Sequence, residues 1–180
     1  MTISHEASNW VGDRGTWQFM INTSIDPETG SFGENERKIP FSHEKEVARV
    51  YYYGIEFPEG TNASNTKMEL TPTDHGAVVR FTFPKDAQHK NVIFDSINGS
   101  DDGSIIEYDM KTNSFKARTN HTSLGLKDMY IYGTFDKPMS YTRTANNRQG
   151  IASFEDEVVE MKVATSFISF EQAKHNIELE

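Results

Sequence analysis

The sequence contains no cysteine among its 180 residues. A disulfide framework, a thiolate metal site and a cysteine nucleophile are therefore excluded. The absence leaves the compartment open between cytoplasmic and secreted, because a chain of this length can bury roughly 70% of its unfolded surface without covalent cross-links.

Long apolar runs and basic charge are also scarce. No stretch approaches the roughly 18 consecutive apolar residues of a membrane-spanning helix, and Met1 to Glu6 lacks the charged and apolar regions of a signal peptide. The 18 Lys and Arg stand against 27 Asp and Glu, which gives a formal charge of -9. Nucleic acids and anionic membranes require a basic surface, so neither is an expected partner.

Familiar catalytic motifs are missing as well. The sequence has no Gly-x-Ser-x-Gly elbow and no glycine-rich phosphate loop before a helix. His43 with Glu44 and Glu46 could contribute to a metal site, but zinc sites on helices pair two His four residues apart, so we expect no metal there. Asn98 to Gly103 could hold a hard cation through oxygen ligands, but its spacing does not match an EF-hand, which favours a tight turn.

The clearest pattern that is present is the period of two typical of β-strands. Val79, Phe81 and Phe83 share one face of a predicted strand, and Val92 to Phe94 is a continuous apolar run typical of a strand covered on both faces. Further strands are predicted near Trp17, from Val47 to Phe57, and near Met68, Ile106, Phe115, Met129, Tyr141 and Val158, whereas Asn146 to Gly150 is predicted to be a loop. About ten strands with turns every eight to twelve residues predict a mainly β fold, a two-layer antiparallel β-sandwich.

One helix is predicted at the C-terminal end. Ser169 followed by Gln172 matches a capping box, and Phe170, Ala173 and Ile177 then recur at helical spacing. No glycine, proline or basic last turn marks the end of this helix. We therefore expect more helix after Glu180 in a longer protein; the alternative is a natural terminus that frays.

The segment from Ser4 to Gly15 is polar, contains glycine and has no periodicity, which predicts a loop. His5, Glu6, Trp10 and Asp13 could together line a polar pocket with one aromatic platform, and loops carry binding sites more often than strands do. The alternative is a solvated loop in which Trp10 covers the edge of the core.

Several short motifs follow one another along nearly the whole chain. They are Ile3-Ser4-His5, Gly12-Asp13-Arg14-Gly15, Ser42 to Ala48 before Tyr51-Tyr52-Tyr53, Glu69 to Thr73 with Gly76, Arg80 to Pro84, and Val163 to Ser169 followed by Glu171-Gln172-Ala173-Lys174. In this order they resemble the N-terminal domain of glycoside hydrolase family 92, a family of bacterial exo-acting α-mannosidases. Where the family commonly has Ala-Ser-Pro-Gly before the tyrosines, this chain has Ala48-Arg49-Val50-Tyr51.

The resemblance implies a domain organisation and an activity. Residues 1–168 would form a β-sandwich whose first strands are missing before Thr2, and residues 169–180 would begin a linker helix towards an (α/α) barrel. The family depends on calcium and inverts the anomeric centre, which requires a general acid and a base carboxylate about 6.5–9.5 Å apart. Both carboxylates and most calcium ligands are expected in the barrel, so no catalytic or metal-binding residue is assigned to this chain, which alone would be inactive.

The expected substrate is a mannose-containing glycan of the N-glycan type, with an α-1,2 linkage. His5, Glu6, Trp10 and Asp13 are the candidate substrate-binding residues, with Trp10 stacking on a sugar ring and the polar side chains bonding its hydroxyls. Two other functions remain open. A free-standing carbohydrate-binding module would share the sandwich but should end in a finished strand or cap, and a purely structural domain would bind no glycan.

Overall fold

The computed structural model describes residues 1–3, 17–28, 37–96, 105–119, 128–143 and 149–180. Within these residues the chain forms thirteen β-strands and one α-helix, α1, at Phe170–Leu179. The strands are β1 Thr2–Ile3, β2 Trp17–Asn22, β3 Glu46–Arg49, β4 Tyr52–Glu56, β5 Lys67–Pro72, β6 Gly76–Thr82, β7 Asn91–Ser96, β8 Ile105–Asp109, β9 Ser114–Thr119, β10 Met129–Phe135, β11 Ser140–Arg143, β12 Gln149–Ser153 and β13 Val158–Ser166.

The strands form two antiparallel sheets, which confirms the predicted sandwich. The smaller sheet has five strands in the order β1-β2-β7-β12-β11, and the larger has eight in the order β3-β4-β5-β6-β13-β10-β9-β8. The last strand of the chain, β13, lies inside the larger sheet. Its Met161 is opposite Val79 of β6 on one side and Phe135 of β10 on the other.

The core between the sheets follows the predicted alternation. Val79, Phe81 and Phe83 are buried on the inner face of the larger sheet. On the smaller sheet Val92 and Phe94 belong to the same core, whereas Ile93 is buried in a second cluster with Ile25 and Ile151. The run Val92 to Phe94 is therefore covered on both faces, as its continuous apolar sequence predicted.

The segment from Val47 to Phe57 is a hairpin, so the prediction of a single strand was wrong. Strands β3 and β4 pair with Arg49 opposite Tyr52, which leaves Val50 and Tyr51 as the turn. This turn has neither the glycine nor the asparagine that usually marks a two-residue hairpin. The sequence therefore carried no signal for this turn.

The predicted loop from Asn146 to Gly150 also needs correction at its end. Gln149 and Gly150 begin β12, which lies between β7 and β11 in the smaller sheet. Gly150 is opposite Phe94, and Ala152 is buried in the main core. Because β12 consists mainly of small and polar residues, its apolar pattern was too weak to predict a strand.

The helix α1 begins at the predicted cap. The Ser169 hydroxyl accepts a hydrogen bond from the backbone N–H of Gln172 at 3.1 Å. The Gln172 side chain does not return this bond as in a full capping box; it donates to Asn176 Oδ1 at 2.9 Å. Asn176 in turn donates to the Thr165 carbonyl at 3.0 Å, so a chain of polar contacts ties the helix to β13.

The apolar side of α1 packs on the outer face of the larger sheet. Ala173 is fully buried, and the Phe170 ring meets Tyr130 of β10 edge to face at 5.0 Å. At the other end of the helix, Glu180 accepts from the His75 backbone N–H at 3.1 Å. Phe170 and Ala173, two of the apolar positions that recur at helical spacing, therefore lie against the sandwich. No helix among the described residues has the length and apolar character needed to cross a membrane.

Candidate functional site

Three of the described connections join the two sheets at one end of the sandwich. They are residues 83–90 between β6 and β7, 136–139 between β10 and β11, and 154–157 between β12 and β13. Because these connections are short, they hold corresponding ends of the two sheets together, and the opposite ends must also lie on one side. We call this opposite side the loop end; it contains the end of β1 at Ile3, the start of β2 at Trp17 and the end of β13 at Ser166.

The predicted binding loop is attached at the loop end. His5, Glu6, Trp10 and Asp13 lie outside the described residues, but the strands on both sides of them are described. Ile3 of β1 is directly opposite Trp17 of β2. The chain therefore leaves the smaller sheet and returns to it at neighbouring positions.

Other connections are attached at the same end. Ser96, which ends β7, is opposite Trp17, and Arg143, which ends β11, is opposite Gly150 of β12. The segments 97–104, 120–127 and 144–148 each follow a strand that ends there. Function in β-sandwiches concentrates in loops held by a rigid scaffold, so the loop end is the candidate functional surface.

Trp17 is held rigidly at the point where the predicted loop joins β2. Its ring is fully buried and stacks on Phe94 at 4.9 Å and on Phe115 at 5.4 Å between ring centroids. Aromatic pairs at these separations contribute about 0.5–1.5 kcal/mol beyond the area they bury. The buried indole Nε1 has no hydrogen-bond partner among the residues that the structure describes.

A buried ion pair lies close to this end of β2, on the outer face of the smaller sheet. Arg37 Nη1 contacts Asp95 Oδ2, and both side chains are almost completely buried. Gln149 Nε2 donates to the same carboxylate oxygen at 3.0 Å. Sequence reasoning did not identify this cluster; the available signal was an acid directly after the apolar run Val92 to Phe94. Its depth indicates that it holds the ends of β7 and β12 in place, since losing one partner of a buried pair is strongly destabilising.

His43 and Tyr53 both form hydrogen bonds with the Glu46 carboxylate. His43 Nδ1 lies 2.5 Å from Glu46 Oε2, and the Tyr53 hydroxyl donates to Glu46 Oε1 at 2.7 Å. The bonds from Tyr53 and then from His43 lower the pKa of the Glu46 carboxyl. Burial, followed by the bond to Glu46, raises the pKa of Tyr53 to about 12. These side-chain hydrogen bonds involve Glu46 but not Glu44. Within the described ranges no group of three or more His, Asp or Glu side chains could hold a metal ion.

The loop end also carries exposed apolar side chains. Among the described residues the four most exposed large apolar side chains are Val50 at 98%, Ile168 at 75%, Leu179 at 70% and Tyr51 at 69%. Val50 and Tyr51 form the β3–β4 turn, Ile168 follows β13, and Leu179 precedes the Glu180 contact with the β5–β6 turn. All of these positions are at the loop end. The loop end therefore exposes apolar side chains at several separate positions.

The sequence of the whole chain matches one family. The model of the glycosyl hydrolase family 92 N-terminal domain covers residues 1–180. The chain belongs to this family. No curated protein sequence matches it significantly.

Solved structures of family 92 enzymes share the fold. The inverting mannosidase BT2199 of Bacteroides thetaiotaomicron is 26% identical, with a TM-score of 0.81 over 99% of this chain. The α-mannosidase BT3965 of the same organism, in complex with mannoimidazole, is 19% identical with a TM-score of 0.69 over 91% of this chain. The match covers only 25% of each of those chains, so this family 92 domain spans about a quarter of their length.

Proposed function

We propose that this chain is the N-terminal β-sandwich domain of a longer exo-α-mannosidase that inverts the anomeric centre. One observation carries the proposal: nearly the whole chain superposes on an inverting mannosidase of the same family with a TM-score of 0.81. The linkage would be α-1,2, and the substrate a mannose-containing glycan of the N-glycan type.

The domain's part in the reaction would be to bind and orient the sugar. Inversion needs one carboxylic acid that protonates the leaving oxygen and one carboxylate that activates water, about 6.5–9.5 Å apart. We place this pair in a catalytic (α/α) barrel that follows residues 169–180. The loop from His5 to Asp13, attached at the loop end, would then complete the pocket with Trp10 against a sugar face.

The loop end would also be the docking surface for that barrel. Val50, Tyr51, Ile168 and Leu179 expose apolar area there, and removal of apolar area from water favours association. A second domain on this surface would cover the apolar residues and face the predicted binding loop at once.

The proposed enzyme would require calcium, a hard cation that oxygen ligands bind and that can coordinate sugar hydroxyls. The described residues contain no cluster of three carboxylate or imidazole groups suited to it. We propose that its ligands lie elsewhere in the enzyme, and no step of binding by this domain depends on them.

The test is an assay of the full-length gene product on α-1,2-mannobiose, with calcium and after chelation, with the anomer of the first product determined by NMR. We expect release of β-mannose that requires calcium, and no turnover by residues 1–180 alone. Release of α-mannose would disprove inversion, and turnover by residues 1–180 alone would disprove the assignment of chemistry to another domain. Inactivity of the full-length protein on all α-mannosides would overturn the proposal.

A further inference from the structure

A polar groove runs beside α1 on the outer face of the larger sheet. It has a volume of about 330 Å³ and is lined by residues of β8, β9, β10 and the helix. Known ligand pockets range from about 300 to 1,000 Å³, so this groove is large enough for a single sugar ring.

The strand register builds the groove. Glu107 of β8 is opposite Lys116 of β9, and Lys116 is opposite Tyr132 of β10, so the three side chains project from one row on the outer face. Lys174 of α1 lines the groove from the helix side. Three strands and one helix therefore fix the backbone positions from which these polar side chains extend into the groove.

Opposite charges in the groove do not neutralise each other by direct contact. Glu107 and Lys116 face each other across the strands, yet Lys116 Nζ lies over the Phe170 ring, 5.4 Å from its centroid. Within the described part of the chain, Glu107 and Lys174 make neither a hydrogen bond nor an ion pair. Their polar atoms remain available to a ligand.

The charge balance limits the class of ligand. Two carboxylates, Glu107 and Asp109, and two ammonium groups, Lys116 and Lys174, line the groove, and their formal charges cancel. A net-neutral site gives no advantage to an anion or a cation, while carboxylates accept and ammonium groups donate hydrogen bonds. Tyr132, which is only 8% exposed, adds a phenol to the lining. A neutral molecule with many hydroxyls satisfies both kinds of group.

We propose that this α1 groove is a binding site for one neutral sugar unit of a glycan. Glu107 accepts hydrogen bonds from its hydroxyls, and Lys174 donates to its oxygens. The groove is built only from residues of this chain, so the inference does not depend on the catalytic assignment.

The experiment is an NMR titration of the chain with methyl α-D-mannopyranoside, followed through the backbone amides. We expect saturable shifts at Lys116, Tyr132 and Lys174 with a dissociation constant on the order of millimolar, as befits a small ligand held by few contacts. Glu107→Gln and Lys174→Met should each weaken binding about five-fold, the effect of one lost hydrogen bond. Lys162→Met, an exposed lysine on the same sheet face outside the groove, should leave the affinity unchanged.

Three outcomes would overturn the proposal. They are shifts that do not saturate, shifts that Glu107→Gln and Lys174→Met leave unchanged while thermal unfolding shows intact folds, and saturable shifts at these residues with sodium sulfate but not with the sugar. Mannosidase activity is not read in this experiment, so its result is separate from that of the proposed enzyme.

Discussion

The ring of Tyr52 occupies the space that a side chain at Gly54 would need. A Cβ at position 54 would lie 2.6 Å from the Tyr52 hydroxyl oxygen. In this position the hydroxyl donates to Glu69 Oε1 at 2.7 Å, on the neighbouring strand. The glycine thus allows a hydrogen bond between two strands of the larger sheet.

Gly54→Ala should therefore displace Tyr52 and lower the free energy of unfolding by about 1.5–3 kcal/mol, the value of a hydrogen bond to a charged acceptor. The same substitution in a Tyr52→Ala background should be neutral or stabilising, because alanine loses less backbone entropy than glycine on folding. Urea denaturation of the four proteins measures this coupling. Equal destabilisation in both backgrounds would show that the tyrosine is not responsible.

Gly133→Ala should destabilise the core more strongly. A Cβ there would lie 2.2 Å from the Phe115 ring, which is already packed against Trp17 and Phe94. Overpacking of this kind costs about 1–3 kcal/mol. Thermal and urea unfolding should show the loss, and Phe115→Leu in the same protein should recover part of it. A Gly133→Ala variant as stable as the parent would contradict the packing described here.

Stability should decrease in alkaline solution in a way that depends on Tyr53. Burial and the bond to Glu46 favour the neutral phenol and raise its pKa to about 12 in the folded chain, from the value of about 10 of an exposed tyrosine. The contribution of Tyr53 to stability is therefore complete below pH 10 and is lost as the pH rises towards 12. Urea midpoints across this range should fall less steeply for Tyr53→Phe.

The decrease of the urea midpoint with pH should not vanish in Tyr53→Phe, since burial also raises the pKa of Tyr108. Tyr51→Phe, at the exposed hairpin turn, is the matched control and should keep the parental slope. A Tyr53→Phe protein with an unchanged slope would place the alkaline sensitivity elsewhere.

In the full-length protein, Trp10→Ala and Asp13→Ala should lower kcat/KM by roughly ten- to two-hundred-fold, which corresponds to about 1–3 kcal/mol of transition-state binding. We expect little change in thermal stability, because a loop side chain leaves no large cavity in the core. Steady-state kinetics and thermal unfolding of the same preparations test both points. Asp86→Ala, in an exposed turn at the end of the sandwich away from the loop end, should keep full activity. Full activity of both loop variants, or loss only in step with unfolding, would make the loop a scaffold element.

The predicted fold followed from residues whose pattern is local. Val79, Phe81 and Phe83 show their common face without any other part of the chain, and Ser169 is a cap because of the backbone beside it. The β3–β4 turn has no such signature at Val50 and Tyr51, and β12 has too few large side chains to show a face. The pairing of these elements depends on distant strands, which a single sequence does not display.

Only part of the candidate site could be predicted from the sequence, for the same reason. The polar, aromatic composition around Trp10 was visible in the sequence, and so was its likeness to the family. The Arg37 and Asp95 pair and the α1 groove arise from residues far apart in the chain, brought together by strand register. Their charges look like ordinary surface charges when read in order.

The position of β13 has a consequence for synthesis on the ribosome. The larger sheet consists of two blocks, β3 to β6 and β8 to β10, and β13 is the strand that pairs with both. Until Val158 to Ser166 has emerged, β6 and β10 each present an unpaired edge, and such edges can pair with other chains. In a nascent chain of this domain, both blocks are therefore open to pairing with neighbouring polypeptides, and so to aggregation, until β13 has been synthesised.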